Sequence, residues 1–199
     1  MISTNTLAAH LKVYKPRRLP GRRWVSRCGV IVLIADHDAQ GKPMAPSVLM
    51  MKRAERKGDP WSGHVSFPGG RVDRADASTR AAALRELTEE TGFEPAGQTT
   101  PMGRLSDLLT REHGRPLPMV VSPYVYRTHT AIELQPSKEA AELWWVPLSH
   151  LVPSAPRQKM IWRIRGLPLP VTYIDLGGAK LWGLTLMMTN ELIRAVGLV

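Results

Sequence analysis

Two adjacent glycines, Gly69 and Gly70, follow an apolar step at Val65 to Phe67 and stand just ahead of the clearest helix in the chain, Asp76 to Thr91. Apolar or small residues at Ala77, Ala81, Leu84, Thr88 and Thr91 recur at spacings of four, three, four and three, the period of an amphipathic helix. Asp76 or Ser78 can cap its start, and Gly92 stands where a left-handed C-terminal cap belongs. Lacking Cβ atoms, the glycine pair lets the helix and a ligand come close to the strand backbone. Glu89 and Glu90 follow Glu86 by three and four residues, so all three carboxylates lie on one side of the helix. Each such like-charge pair costs roughly 0.2 to 0.5 kcal/mol, which a hard divalent cation on carboxylate oxygen more than offsets. A solvated acidic face is the alternative for the trio by itself. Arg85, four residues before Glu89, can neutralise or orient a carboxylate.

The rest of the chain alternates strand and helix signals. Apolar strand patterns run at about 27–35 and 47–53, separated by a Gly- and Pro-containing turn, and could pair as a hairpin or lie apart. Further β-branched and aromatic runs occur at 119–126, 142–146 and 169–174. Lys180 to Ala195 reads as a closing helix with Leu181, Leu184, Met188, Leu192 and Ala195 on one core stripe and Met187 beside it. No repeat or linker splits the chain. The pattern predicts an α/β (α+β) domain, a mixed sheet sandwiched between helices. Residues 1–27 form a basic N-terminal segment, with a short helix at 3–12 interrupted afterwards by Pro16, Pro20 and Gly21, and residues 28–199 form one domain.

Charge narrows the partners. Lys and Arg number 27 against 17 Asp and Glu, giving +10 at pH 7, and no acidic residue precedes Asp36. An anionic partner follows, of a class that charge alone does not name. A chain this basic has little general need for a carboxylate cluster. The longest apolar run, Cys28 to Ala35, has eight residues, far short of the roughly 20 that span a bilayer. The first residues lack a basic start and an apolar stretch of secretory type, so the expectation is a cytoplasmic protein without a membrane partner. The single cysteine, Cys28, excludes an internal disulfide and a thiolate zinc cluster, and reads as a small core residue.

Residues Arg85 to Phe93, RELTEETGF, match every specified position of the second half of the Nudix hydrolase signature. The first half departs: five residues after Gly70 stands Asp76 rather than Glu, and eight rather than seven residues separate Asp76 from Arg85. That longer loop, with Phe67-Pro68-Gly69-Gly70 ahead of it, resembles the coenzyme A pyrophosphatase-like branch. So do Leu143-Trp-Trp-Val-Pro-Leu148 and Leu181-Trp-Gly-Leu-Thr185. The branch's upstream motif fits at Leu49 to Ala54 and again from Gly63 to Gly70, but between them ERKGDPWS is one residue too long and Gly58 occupies the place of an Arg that Arg56 or Lys57 could replace spatially.

The resemblance implies a Nudix-type α/β/α sandwich that hydrolyses the diphosphate linkage of a nucleoside diphosphate derivative by water attack on phosphorus, with coenzyme A or a related compound favoured. It implies that Glu86, Glu89 and Glu90 hold Mg²⁺ or Mn²⁺. Glu89 is a ligand or the catalytic base; alternatively it is a partner of Arg85. Gly69 or Gly70 would help place the metal site, and both, with Lys52, Arg53 and Arg85, are carried as substrate-side residues, Arg85 chiefly by orienting a ligand carboxylate. A base could instead come from a later loop, where Glu133, Glu139 and Glu142 are candidates and Glu139 is preferred. Arg56 and Lys57 are further diphosphate contacts, and His64 and His129 are read as structural or surface residues. Other substrates in view are ADP-ribose, dinucleoside polyphosphates and capped RNA. An RNA-binding or regulatory module using the basic segment and Trp24 is the alternative of a different class, and family members are often homodimers.

Overall fold

A computed structural model of the chain describes residues 3–57, 61–111, 118–131, 134–164 and 167–198. Its centre is strand β1 (Ser26–His37), in which Val30 to Ala35 are all buried. A strand buried on both faces reads as a continuous apolar run rather than an alternating one, as this sequence does. The side chains nevertheless alternate in direction. Val30, Val32 and Ile34 join one core, and Ile31 and Leu33 join another on the opposite face.

Strand β2 (Pro43–Arg53) pairs antiparallel with the far half of β1, Ile34 facing Val48, so the two form the hairpin that their spacing left open. Towards the other end β1 and β2 diverge, and the gap is filled by β3 (Val65–Ser66) on β2 and β4 (Gly69–Arg71) on β1. Helix α2 (Thr79–Thr91) follows. Two short strands, β5 (Thr99–Arg104) and β6 (Leu108–Arg111), pair with β7 (Pro118–Thr128), which runs parallel to β1. Strand β8 (Ala140–Pro147) closes on the outer edge of β2. A separate antiparallel sheet consists of β9 (Gln158–Ile164), β10 (Leu167–Leu176) and β11 (Ala179–Trp182). Helix α1 (Thr4–Val13) and helix α3 (Gly183–Ala195) cover the first core face, while Ala83 and Leu87 of α2 cover the second. The result is the expected mixed sheet between helices.

Two helix readings shift. The buried face of α2 is Ala82, Ala83, Leu87, Glu90 and Thr91, not the Ala77-Ala81-Leu84-Thr88 stripe. Ala77 precedes the helix, which starts after Ser78, whose hydroxyl accepts the Ala81 N–H at 3.0 Å. The face is set by a tertiary contact: a side chain at Gly29 would overlap the Thr79 carbonyl and the Ala83 methyl, so the Ala83 side of the helix lies directly on β1. The closing helix begins at Gly183 rather than Lys180, because Ala179 to Trp182 pair with β10. Met188, Leu192 and Ala195 are buried as expected, and Met187 is exposed.

The basic N-terminal segment is docked along its length. Leu7 and Leu11 are buried in the first core, which is worth about 2 kcal/mol for each leucine. Tyr14 donates to Glu191 at 2.6 Å, Leu19 N–H donates to Asp107 at 2.9 Å, and Arg22 pairs with Asp107 at 3.2 Å. Arg104 and Ser122 also donate to Asp107, whose side chain has no exposure. Among the described residues no helix is long and apolar enough to cross a membrane.

Candidate active site

Ala83, Leu87 and Glu90 fall at i, i+4 and i+7 of α2, so the helix period that buries two apolar residues also buries a carboxylate. Glu90 is 2% exposed, and its Oε2 accepts the Gly69 N–H at 2.8 Å. Burial pushes its carboxyl up to about 8; the Gly69 hydrogen bond and the Arg53 charge oppose this, and the Glu86 and Glu139 charges add to it. Glu86, one turn earlier, lies against Gly70 so closely that any Cβ there would overlap its carboxyl group. Burial also raises the Glu86 carboxyl, against the nearby Arg85 and together with Glu89 and Glu139.

Arg85 organises the outer side. It donates to Asp76 through Nε at 3.2 Å and Nη2 at 3.1 Å, to the Arg71 carbonyl at 3.2 Å and to Glu89 at 2.8 Å, and it pairs with Glu86 at 2.9 Å. Every nitrogen of the guanidinium is thus engaged on the protein itself. Asp76, which stands where the signature has Glu, receives the guanidinium fork and is held below the ordinary carboxylate range, chiefly by that bond. In the sequence Asp76 was legible as a possible cap and as the residue at the signature's Glu position, and its contact with Arg85, nine residues on, is made by the loop ahead of Ser78.

The end of β2 supplies the third side. Arg53 is the residue whose charge opposes the buried Glu90. Glu139 enters β8 beside it, its carbonyl accepting the Ala54 N–H at 2.8 Å, and its charge acts on both Glu86 and Glu90. Of the described later-loop glutamates, Glu139 is thus the one whose charge reaches the cluster, and it is paired with Arg56 at 3.0 Å. Glu142 is paired with Lys52 at 2.9 Å, and Glu133 lies outside the described residues, as does Gly58. His129 is exposed, whereas His64 is packed edge-on among Trp61, Trp162 and Trp182. Cys28 sits beneath the cluster, its thiol pushed up to about 12 by burial, so it offers no thiolate.

Among the described residues no three His, Cys, Asp or Glu side chains converge on one ready-made metal position. Arg85 bonds both Glu86 and Glu89, while Glu90 is bonded to Gly69. The donor set still suits a hard divalent cation: it consists of oxygens, and burial disfavours the charged form of its two most buried carboxylates, which a bound cation would offset.

The NUDIX domain model matches residues 26–166. The chain is 29% identical over 138 residues to a probable Nudix hydrolase of Schizosaccharomyces pombe, covering 68% of this chain and 46% of that protein. It is 31% identical over 152 residues to the human mitochondrial coenzyme A diphosphatase NUDT8, covering 73% of this chain and 61% of that protein. The chain thus spans about half the length of the curated relatives it matches. Its fold is similar to a crystal structure of a Caenorhabditis elegans Ap4A hydrolase binary complex, with TM-score 0.50 and 21% identity over 63% of this chain and 82% of that one.

Proposed function

The chain belongs to the Nudix family, and from that premise we propose that it is a pyrophosphohydrolase cleaving the diphosphate linkage of a nucleoside diphosphate derivative, coenzyme A or a close relative. The carrying observation is the buried Glu90 carboxylate grouped with Glu86 and Glu139 beside the Gly69–Gly70 backbone. The coenzyme A assignment draws on the upstream motif ends, Leu49 to Ala54 and Gly63 to Gly70, and on the likeness to a coenzyme A diphosphatase.

Glu86, Glu90 and Glu89 would hold Mg²⁺ or Mn²⁺, which when bound neutralises diphosphate oxygens and acidifies water. Arg53 and Arg56 rim the same cluster and would orient the diphosphate. Arg85 acts through the carboxylates it holds rather than on substrate. Glu139 is the base: it accepts a proton from water as the water oxygen bonds to phosphorus and the bridging P–O bond breaks, leaving two phosphorylated products. Its bond to Arg56 joins two half-exposed side chains, a kind of pair worth about 1 kcal/mol or less, so an incoming phosphate can take the arginine and release the carboxylate.

The test is mass spectrometry of products after incubation with Mg²⁺ or Mn²⁺ and a panel of coenzyme A, ADP-ribose, dinucleoside polyphosphates, nucleotide sugars and nucleoside triphosphates. Release of 3′,5′-ADP and phosphopantetheine from coenzyme A, lost in Glu90→Gln, is expected. Cleavage of another compound alone would discard coenzyme A, and no metal-dependent cleavage would discard the enzyme reading.

A further inference from the structure

Beyond α1, residues 14–22 form a strap that is fastened to the body at every second or third residue. Tyr14 donates to Glu191, the Arg17 N–H donates to Ser106 Oγ at 2.9 Å, the Arg17 carbonyl accepts the Asp107 N–H at 2.9 Å, and the Leu19 N–H and Arg22 both donate to Asp107. Glu191 also accepts the Ser106 N–H at 2.7 Å, so the strap hangs on one turn, Ser106–Asp107, that is itself tied to α3. Pro16 and Pro20 fix φ beside these anchors and restrict the backbone further.

This anchoring sorts the charges. Both carboxylates that hold the strap, Glu191 and Asp107, are buried and used on its inner side. Lys12, Lys15, Arg17 and Arg18, within seven consecutive residues, are all exposed. Among the described residues none of these four makes an ion pair. Their mutual repulsion is therefore uncompensated within the chain, and a polyanion relieves it. Leu7 and Leu11 of α1 are already buried in the core, so the helix beside these cations cannot insert its leucines into a lipid surface.

We propose that the strap is a docking surface for the sugar–phosphate backbone of a single-stranded nucleic acid, held by Lys12, Lys15, Arg17 and Arg18. This goes beyond the hydrolase reading and does not depend on it. The anchored backbone presents the four cations without further ordering, and contacts to phosphate position a strand without reading its sequence. Each phosphate neutralised on a single strand releases counterions, so the logarithm of the affinity falls with the logarithm of salt concentration at a slope of about −0.7 per contact, or about −2.8 for four.

Fluorescence anisotropy with a labelled oligouridylate in EDTA separates this from metal-dependent cleavage. Wild-type affinity is expected to fall about 50-fold between about 50 and 200 mM KCl, and that of Arg17→Ala/Arg18→Ala only about 7-fold over the same range, from a weaker starting value. The control Lys42→Ala/Lys159→Ala removes the same charge from the β1–β2 turn and from β9, and keeps the wild-type slope. Melting temperatures recorded for each variant establish that the fold is kept. No binding at the lower salt, an unchanged slope in Arg17→Ala/Arg18→Ala, or an equal loss in the control overturns the surface, the last by assigning binding to net charge. Strap-dependent binding to phosphatidylserine vesicles without oligouridylate binding overturns it in favour of a lipid surface.

Discussion

Glu90 accepts the backbone N–H of Gly69 at 2.8 Å, joining the buried face of α2 to the first residue of β4. A single neutral donor cannot match the water that a carboxylate loses on burial. Its carboxyl at about 8 therefore stands above the ordinary 4.5. A raised acid stabilises the fold fully below the unfolded value, and that contribution fades as pH rises through about 8. In EDTA, the wild-type protein loses a few kcal/mol from this group between pH 5 and 9. Calorimetry of wild type against Glu90→Gln isolates the effect: the variant melts higher at pH 9, and Mg²⁺ raises the wild-type melting temperature more than the variant's. Identical pH profiles for the two proteins would refute the assignment.

Gly29 and Gly70, paired across β1 and β4 beneath α2, separate function from folding. Gly70→Ala pushes first against the movable end of Glu86, so the protein folds and loses activity by about 100-fold or more, as expected when a catalytic group is displaced. Gly29→Ala pushes against the Thr79 carbonyl and the Ala83 methyl, and costs about 1 to 3 kcal/mol of stability. Melting temperatures and kcat/KM measured side by side check the contrast; equal stability loss in both would sink it.

Arg56 and Glu139 have different roles across one 3.0 Å ion pair. Glu139→Gln lowers kcat by about 10²- to 10⁴-fold, as loss of a general base does. Arg56→Ala raises KM and leaves kcat little changed. Neither changes stability by more than about 1 kcal/mol, because the pair is half-exposed. Steady-state kinetics decide, and a kcat effect from Arg56→Ala equal to that of Glu139→Gln would remove the distinction.

Asp107 fastens the N-terminal segment. Burial raises its carboxyl, but the hydrogen bonds from Ser122 and the Leu19 N–H, together with Arg104, outweigh this and hold it below the ordinary range. Its stabilising contribution is present above the unfolded value and is lost as pH falls through the lower folded one. Asp107→Ala leaves Arg104 and Arg22 without their carboxylate and costs about 3 to 5 kcal/mol. Limited trypsin digestion should then open the chain among Arg17, Arg18 and Arg22 first; unchanged digestion would show that the segment is fastened elsewhere.

Local chemistry determined much of this protein from sequence alone. A serine hydroxyl and a left-handed glycine end α2 because capping is settled within a few residues, and three glutamates share a side because the helix period puts them there. The continuous apolar run of β1 already called for burial on both faces. Which side of α2 goes inward was a tertiary decision, because Gly29, Gly69 and Gly70 admit the Ala83–Glu90 face at distances where a Cβ would collide. Asp76 receiving Arg85, Glu139 rather than Glu142 facing the carboxylates, and Trp61 meeting His64, Trp162 and Trp182 belong to the same class. These partners are brought together by strand pairing and layer packing, and short-range spacing carries no information about contacts that only chain closure creates.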